Sequence, residues 1–268
     1  MTWEIAQGMK FINGTFDWVY EEEFACRDGF RWSPDGKRIA FWQVNAEGTK
    51  DFMMMDNLAG IYSKPIPVEY PKVGESPSAV RIGVVDVATA ALKWMSIPGD
   101  NRQHYLPRME WAGNQELIVQ QLNRKQNQSI LHMANANSGS SFVVYKETEE
   151  AWIDILPSVD DDYSYGGWDW LNKGQSFLWM SEKDGWRHLY NITRNGKEEV
   201  LLTKGNFDVI EIAEVREFEG YVYYYASPEN ATQKYLYRSK LNGEGLPERL
   251  TPVDQPGTHS YTVSPKAD

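Results

Sequence analysis

The 268-residue chain has a single cysteine, Cys26, which excludes an internal disulfide. Its four histidines are scattered, so no zinc-type cluster forms along the sequence. No metal and no other cofactor are expected. Basic charge is also scarce: 27 Lys and Arg stand against 38 Asp and Glu, for a formal net charge of −11. Nucleic acids and anionic membranes need a basic surface that displaces counterions, so neither is an expected partner. A cationic ligand suits the chain better. No stretch approaches the roughly 20 apolar residues that cross a bilayer. Met1-Thr2-Trp3-Glu4-Ile5 lacks the basic and then apolar pattern of a signal peptide. The chain as it stands is expected to be soluble, with no membrane segment. The residues leave its compartment open, and sequons at Asn13, Asn127, Asn191 and Asn230 would matter only in a eukaryotic secretory host.

What the chain does have is aromatic and apolar material: 13% aromatic residues, with 11 Trp and 15 Tyr, within a hydrophobic fraction of 41%. Flat rings pack well on pleated surfaces, so an all-β fold is expected. Aligned on their turns, the strand pairs repeat at a spacing typical of propeller blades, about 40 to 60 residues. Phe30 to Val44 opens one unit and Val80 to Met95 completes it, with 45–79 between them as a long insertion rich in Met, Pro and Gly. Met109 to Gln120 opens the next, and Ser129 to Tyr145 supplies its outer strands through Asn137-Ser138-Gly139. Trp168 to Met180, His188 to Thr193 and Glu199 to Thr203 form a third unit. Ile210 to Val215, Tyr221 to Ala226, Lys234 to Ser239 and Glu248 to Leu250 form a fourth. The residues before Asn13 read as the last strand of a preceding blade, and Ser260 to Asp268 as the opening of a following one. The expectation is one partial β-propeller domain over 1–268: four-stranded antiparallel blades, an arc of about four, plus flanking strands.

One cluster stands out for chemistry. Asp17-Trp18-Val19-Tyr20-Glu21-Glu22-Glu23-Phe24 sets three adjacent carboxylates among aromatic and apolar neighbours. It precedes Phe30 to Phe41, a strand-turn-strand signal in which Pro34 presets φ and Gly36 accepts a positive φ. Three acids in a row usually form a solvated turn. In this setting they are also candidates for binding a cation.

These two motifs resemble the N-terminal β-propeller region of the dipeptidyl peptidase IV family of serine exopeptidases. So do Tyr70-Pro71-Lys72-Val73-Gly74, Leu122-Asn123-Arg124-Lys125-Gln126-Asn127 and Ser181 to Tyr190, in the family's order and at similar spacing. The resemblance implies that the acids sit on a short helical excursion, where Glu22 and Glu23 match the pair that grips the free amino terminus of a peptide and Glu21 precedes it. Such a clamp fixes the distance from amino terminus to nucleophile, so cleavage falls after the second residue. The implied partners are a peptide with a free N-terminus and the hydrolase domain of the parent chain. An arm at Asn45 to Lys64, containing Met53-Met54-Met55, is the candidate homodimer interface; those methionines suit either an adaptable contact surface or burial under the insertion. The family's members are commonly exported or membrane-anchored.

Catalytic residues are not expected in this chain. Tyr163-Ser164-Tyr165-Gly166-Gly167 looks like a nucleophile elbow, but Asp162 stands where a small residue must close the turn, and a blade opening follows where a helix should. The α/β-hydrolase domain is therefore expected to be absent, and hydrolysis is not expected from the chain alone. The family's carbonyl-contacting arginine comes from earlier blades, and neither Arg27 nor Arg31 matches it. Arg187 and His188 lie in an alternating strand pattern and read as structural. The alternatives are a free-standing propeller used as an interaction scaffold, or the propeller of a related tripeptidyl or acylaminoacyl peptidase.

Overall fold

The computed structural model describes residues 10–155 and 169–264. They fall into two compact units: Met1–Lys146 with Glu150–Pro157, and Glu147–Glu149 with Ser158–Asp268. The fold is β-propeller in type, built of antiparallel blade sheets.

In the first unit the chain runs β1 (Phe11–Asn13), α1 (Trp18–Phe24), β2 (Phe30–Trp32), β3 (Arg38–Asn45), β4 (Asp51–Asp56), β5 (Lys64–Glu69), β6 (Ala79–Asp86) and β7 (Leu92–Trp94). The second sheet follows with β8 (His104–Trp111), β9 (Glu116–Asn123), β10 (Gln128–Asn135) and β11 (Ser141–Thr148), ordered β8-β9-β10-β11. In the second unit β12 (Trp170–Leu171), β13 (Ser176–Ser181), β14 (His188–Thr193) and β15 (Glu199–Leu201) form a meander. A second meander holds β16 (Val209–Arg216), β17 (Tyr221–Ala226), β18 (Tyr235–Lys240) and β19 (Glu248–Arg249). The four blades expected from the repeat are these sheets.

Local chemistry explains the strands. On β3 and β6, Ala40, Trp42 and Val44 and then Val80, Ile82 and Val84 alternate into the core, as a period of two requires. In the turn before β3 Gly36 adopts φ +67° and donates to the Ser33 carbonyl at 2.8 Å. The first unit's core adds Tyr20, Phe24, Leu106, Met109, Leu117 and Val119 to these residues; Leu178, Leu189, Ile212, Val222 and Tyr224 lead that of the second.

Three features depart from the sequence reading. Phe11–Asn13 does not end a preceding blade: it pairs antiparallel with Gln43–Asn45 of β3, while β2 pairs with Ile39–Phe41 farther along the same strand. One edge strand of the first sheet is thus split in two, and the excursion carrying α1 leaves through the gap. The segment 45–79 contains a regular hairpin, in which β4 pairs with β5 from Asp51↔Glu69 to Asp56↔Lys64. Pro65 and Pro67 disguise β5 in the sequence; they are tolerated because the hairpin has only two strands, leaving one edge of each without a ladder. Finally, β8 begins at His104 rather than near Met109, and its pairing with β9 slips between Tyr105 and Arg108.

Candidate functional site

The slip in β8 takes Leu106 and Pro107 off the ladder, so their backbone groups need other partners. The α1 excursion and β3 supply them. The Tyr20 hydroxyl accepts from the Leu106 N–H at 2.9 Å. Trp42 Nε1 donates to the Leu106 carbonyl at 2.8 Å, and the Cys26 thiol reaches the Pro107 carbonyl at 3.4 Å. The bulge is thereby a socket for the helix.

Asp17 caps α1 by accepting from the Tyr20 N–H at 3.2 Å. It is only 4% exposed. Burial raises the pKa of its carboxyl, against the lowering effect of its bonds with the Ser78 side chain and the Tyr20 backbone. At the other end Ala25 turns left-handed, φ 52°, and the Cys26 N–H returns to the Tyr20 carbonyl at 3.1 Å. Between the caps, Tyr20 is 1% exposed. Its ring stacks on Phe16 at 5.5 Å and meets Phe24 and Tyr105 edge-on at 5.5 and 6.1 Å. Trp18, on another side of the helix, packs on Tyr70 at 4.3 Å.

With Val19, Tyr20 and Phe24 turned inward, Glu21, Glu22 and Glu23 are left exposed on one short, firmly seated helix. Among the described residues no cation pairs with any of the three. Arg31, close in sequence, is occupied: Nε donates to Glu110 and Nη1 to Asp28, each at 2.9 Å. Arg27 is exposed, and among the described residues its side chain enters no ion pair. The arrangement therefore leaves three exposed carboxylates without an ion pair among the described residues, open to an ammonium group. Among the described residues, no group of His, Cys, Asp and Glu is arranged to hold a metal ion, and no helix is long and apolar enough to cross a membrane.

The other candidates fall elsewhere. Ser164 and its neighbours lie outside the described residues. His188 is buried in the second unit, its Nδ1 2.8 Å from Asp184 and its ring edge-on to Phe207 at 5.8 Å. Arg187 Nε donates to Glu182 at 3.1 Å. Both stitch a blade together. Met53, Met54 and Met55 are 58%, 53% and 56% exposed on β4, so burial under the insertion does not describe them. Sequence reasoning missed the buried cap at Asp17 as a working part, and it missed Tyr105, whose ring touches α1 from 80 residues away. Asp17 just before an apolar and acidic run is a local N-cap signal that could have been read, whereas nothing local signals the Tyr105 contact.

Comparison with known proteins agrees with this layout. The family model for the dipeptidyl peptidase IV (DPP IV) N-terminal region matches residues 4–268. A protein of Emericella nidulans named "Probable dipeptidyl peptidase 4" is 28% identical over 244 residues, covering 86% of this chain and 31% of that protein. The Mus musculus protein named "Inactive dipeptidyl peptidase 10" is 27% identical over 249 residues, covering 88% of this chain and 30% of its own. The crystal structure of Porphyromonas gingivalis dipeptidyl peptidase 4 superposes with a TM-score of 0.81 at 27% identity, over 93% of this chain and 34% of that one. The chain thus spans about a third of the length of the relatives it matches.

Proposed function

The chain belongs to the dipeptidyl peptidase IV N-terminal-region family, and from that premise we propose that it is the substrate-recognition and gating part of a serine exopeptidase. Glu22 and Glu23 bind the free amino terminus of a peptide, with Glu21 in support, and a hydrolase domain of the parent chain cleaves after the second residue. The observation carrying this reading is the seating of α1, which exposes three carboxylates with no protein cation on them while anchoring the helix through Asp17, Tyr20 and Phe24. Adjacent carboxylates repel, and an arriving ammonium relieves that repulsion. Each charge-assisted hydrogen bond it makes contributes about 1.5–3 kcal/mol. A second copy of the chain is the proposed partner of the exposed β4–β5 arm.

The test uses the full-length parent and a dipeptide amide substrate, with its amino terminus free or acetylated. Glu22→Gln and Glu23→Gln should each lower kcat/KM for the free amine by about 10- to 150-fold, the equivalent of one such bond. The acetylated substrate should be unaffected. An unchanged preference for the free amine in both variants would end the clamp assignment. A second reading takes its support from the mouse relative, whose name declares it inactive at nearly the same identity as the fungal one. On that reading the propeller binds peptide termini or partner proteins in a parent that never turns over. A parent that binds the free-amine peptide without cleaving it would establish this second reading.

A further inference from the structure

Turns advance 100° per residue along an α-helix, so the carboxylates of α1 do not share one direction. With Tyr20 and Phe24 defining the core side, Glu22 falls opposite them. Glu23 falls on the flank, about 60° from Tyr20 by the same geometry. That flank adjoins Tyr105, whose ring meets Phe24 at 5.2 Å and Tyr20 at 6.1 Å. Over the Tyr105 ring lies the Arg124 guanidinium, 5.6 Å from its centroid. Among the described residues Arg124 pairs with no carboxylate.

Arg124 is held there by its turn. Its backbone N–H donates to the Gln103 carbonyl at 3.1 Å. The neighbouring Asn123 side chain ties the turn shut, accepting from the Asn127 and Gln128 N–H groups at 3.0 and 3.1 Å and donating to the Asn127 side chain at 2.8 Å. Gln126 closes it at φ +55°. The cation thus has a fixed base beside Tyr105, which packs on the acidic helix.

The Tyr105 phenol feels both charges. Burial raises its pKa first; the Arg124 cation then lowers it, and the Glu23 carboxylate raises it again, so both charges act on one hydroxyl. A phenol so placed can accept from a guanidinium and donate to a carboxylate. It would fix one oxygen of Glu23 and leave the other to a ligand. Glu22, exposed and without a hydrogen-bonded or ion-paired partner among the described residues, stays free to adjust.

We propose that Tyr105 and Arg124 are positioning residues for Glu23, making it the fixed half of an unequal carboxylate pair while Glu22 is the adaptable half. The assignment rests on the reading of Glu22 and Glu23 as the amine clamp. Arg124 also partly offsets the three carboxylates of α1, with its charge set on the Glu23 side.

The experiment compares Arg124→Gln, Arg124→Lys and Tyr105→Phe in the full-length parent, reading kcat and KM with the free and the acetylated dipeptide amide. Arg124→Gln and Tyr105→Phe should raise KM for the free amine by about 3- to 10-fold, as expected for the loss of one coupled contact, and leave kcat within about twofold. Arg124→Lys, which keeps the charge but not the planar fork, should recover part of the loss. Combined with Glu23→Gln, the Arg124→Gln change should add nothing further, whereas combined with Glu22→Gln it should add in full. A purely structural role would move the free and acetylated substrates together and would show as a lowered melting temperature. Either that pattern, full additivity with Glu23→Gln, or a lowered KM in Arg124→Gln would overturn the proposal while leaving the clamp standing. If instead Glu22→Gln and Glu23→Gln both spare the free-amine preference, the clamp and this assignment fall together.

Discussion

Two segments leave the blade pattern of the first sheet, and they do so in opposite ways. The α1 excursion departs through the split between β1 and β2 and is bound at every step, by a buried cap, a socket of bulge backbone groups and a cluster of four rings. The β4–β5 arm departs between β3 and β6 and exposes Phe52, Met53, Met54, Met55, Leu58, Ile61 and Tyr62. The first segment spends apolar surface to hold charged groups still. The second keeps its apolar surface outside. On the proposed reading, a carboxylate that selects one ammonium gains from fixed geometry, since binding then orders fewer rotamers. A Met-rich hairpin gains from adaptability instead. The two meet at one point, where Trp18 packs on Tyr70, which in turn lies 5.7 Å from Phe52.

The largest effect expected separates these segments directly. Tyr20→Ala removes a ring that is almost wholly buried and strands the Leu106 N–H. Its cost in urea unfolding should be about 3–5 kcal/mol, the range for large aromatic truncations in cores. Met54→Ala, on the exposed arm, should stay within about 0.5 kcal/mol for the isolated chain. Similar losses from both would erase the contrast, because they would mean that the arm too is buried against something.

Acid offers a second way to strain the anchored side alone. Behind the β8 bulge, Gln121 bridges two buried histidines, with Nε2 2.9 Å from His104 Nδ1 and Oε1 2.9 Å from His132 Nε2. Burial lowers both histidines, His132 to about 4 with help from His104; Asp100 pulls His104 the other way. A histidine lowered in the folded state stabilises fully above its unfolded pKa, near 6.5, and loses that contribution as pH falls toward 4. Between pH 7.5 and 5 the first unit should therefore lose about 2 kcal/mol through His132. His132→Asn should flatten that slope in urea titrations at the two pH values; an equally steep slope in the variant would assign the acid response to other groups.

How much of this was legible follows from how local each signal is. The turn at Pro34 and Gly36, the alternation in β3 and β6, and the meanders of the second unit all lie within a few residues of their causes, and the sequence reading located them. The three acids stood out within eight residues, but the helix that carries them was implied by the family resemblance alone, and its cap at Asp17 went unread. The split strand was not legible: Phe11–Asn13 and Phe30–Trp32 are three residues each, too short for a period to show, and only pairing with β3 defines them. Pro107 hid the first half of β8, since proline in a strand argues against it until a bulge is known to receive it. Tyr105 reaches α1 through Tyr20 and Phe24, far away in the chain, and Arg124 joins it only through the Tyr105 ring; residue type alone does not announce such contacts.

The smallest expected effect probes the end of the anchored helix. Ala25 holds φ 52°, where its Cβ crowds the following carbonyl, yet the chain must turn there for the Cys26 N–H to reach the Tyr20 carbonyl. Glycine adopts that conformation freely, so the native state of Ala25→Gly should gain about 1 kcal/mol from relieved strain. The unfolded chain also gains freedom with glycine, which returns part of it. The net stabilisation should be a few tenths of a kcal/mol, seen as a small upward shift of the urea midpoint with an unchanged slope. If Ala25→Gly destabilises instead, the left-handed cap is not under strain and the methyl group must be packing usefully. The helix would then be held at its C-terminal end by side-chain contact as well as by backbone hydrogen bonds, and the anchored segment would be firmer still than its comparison with the arm implies.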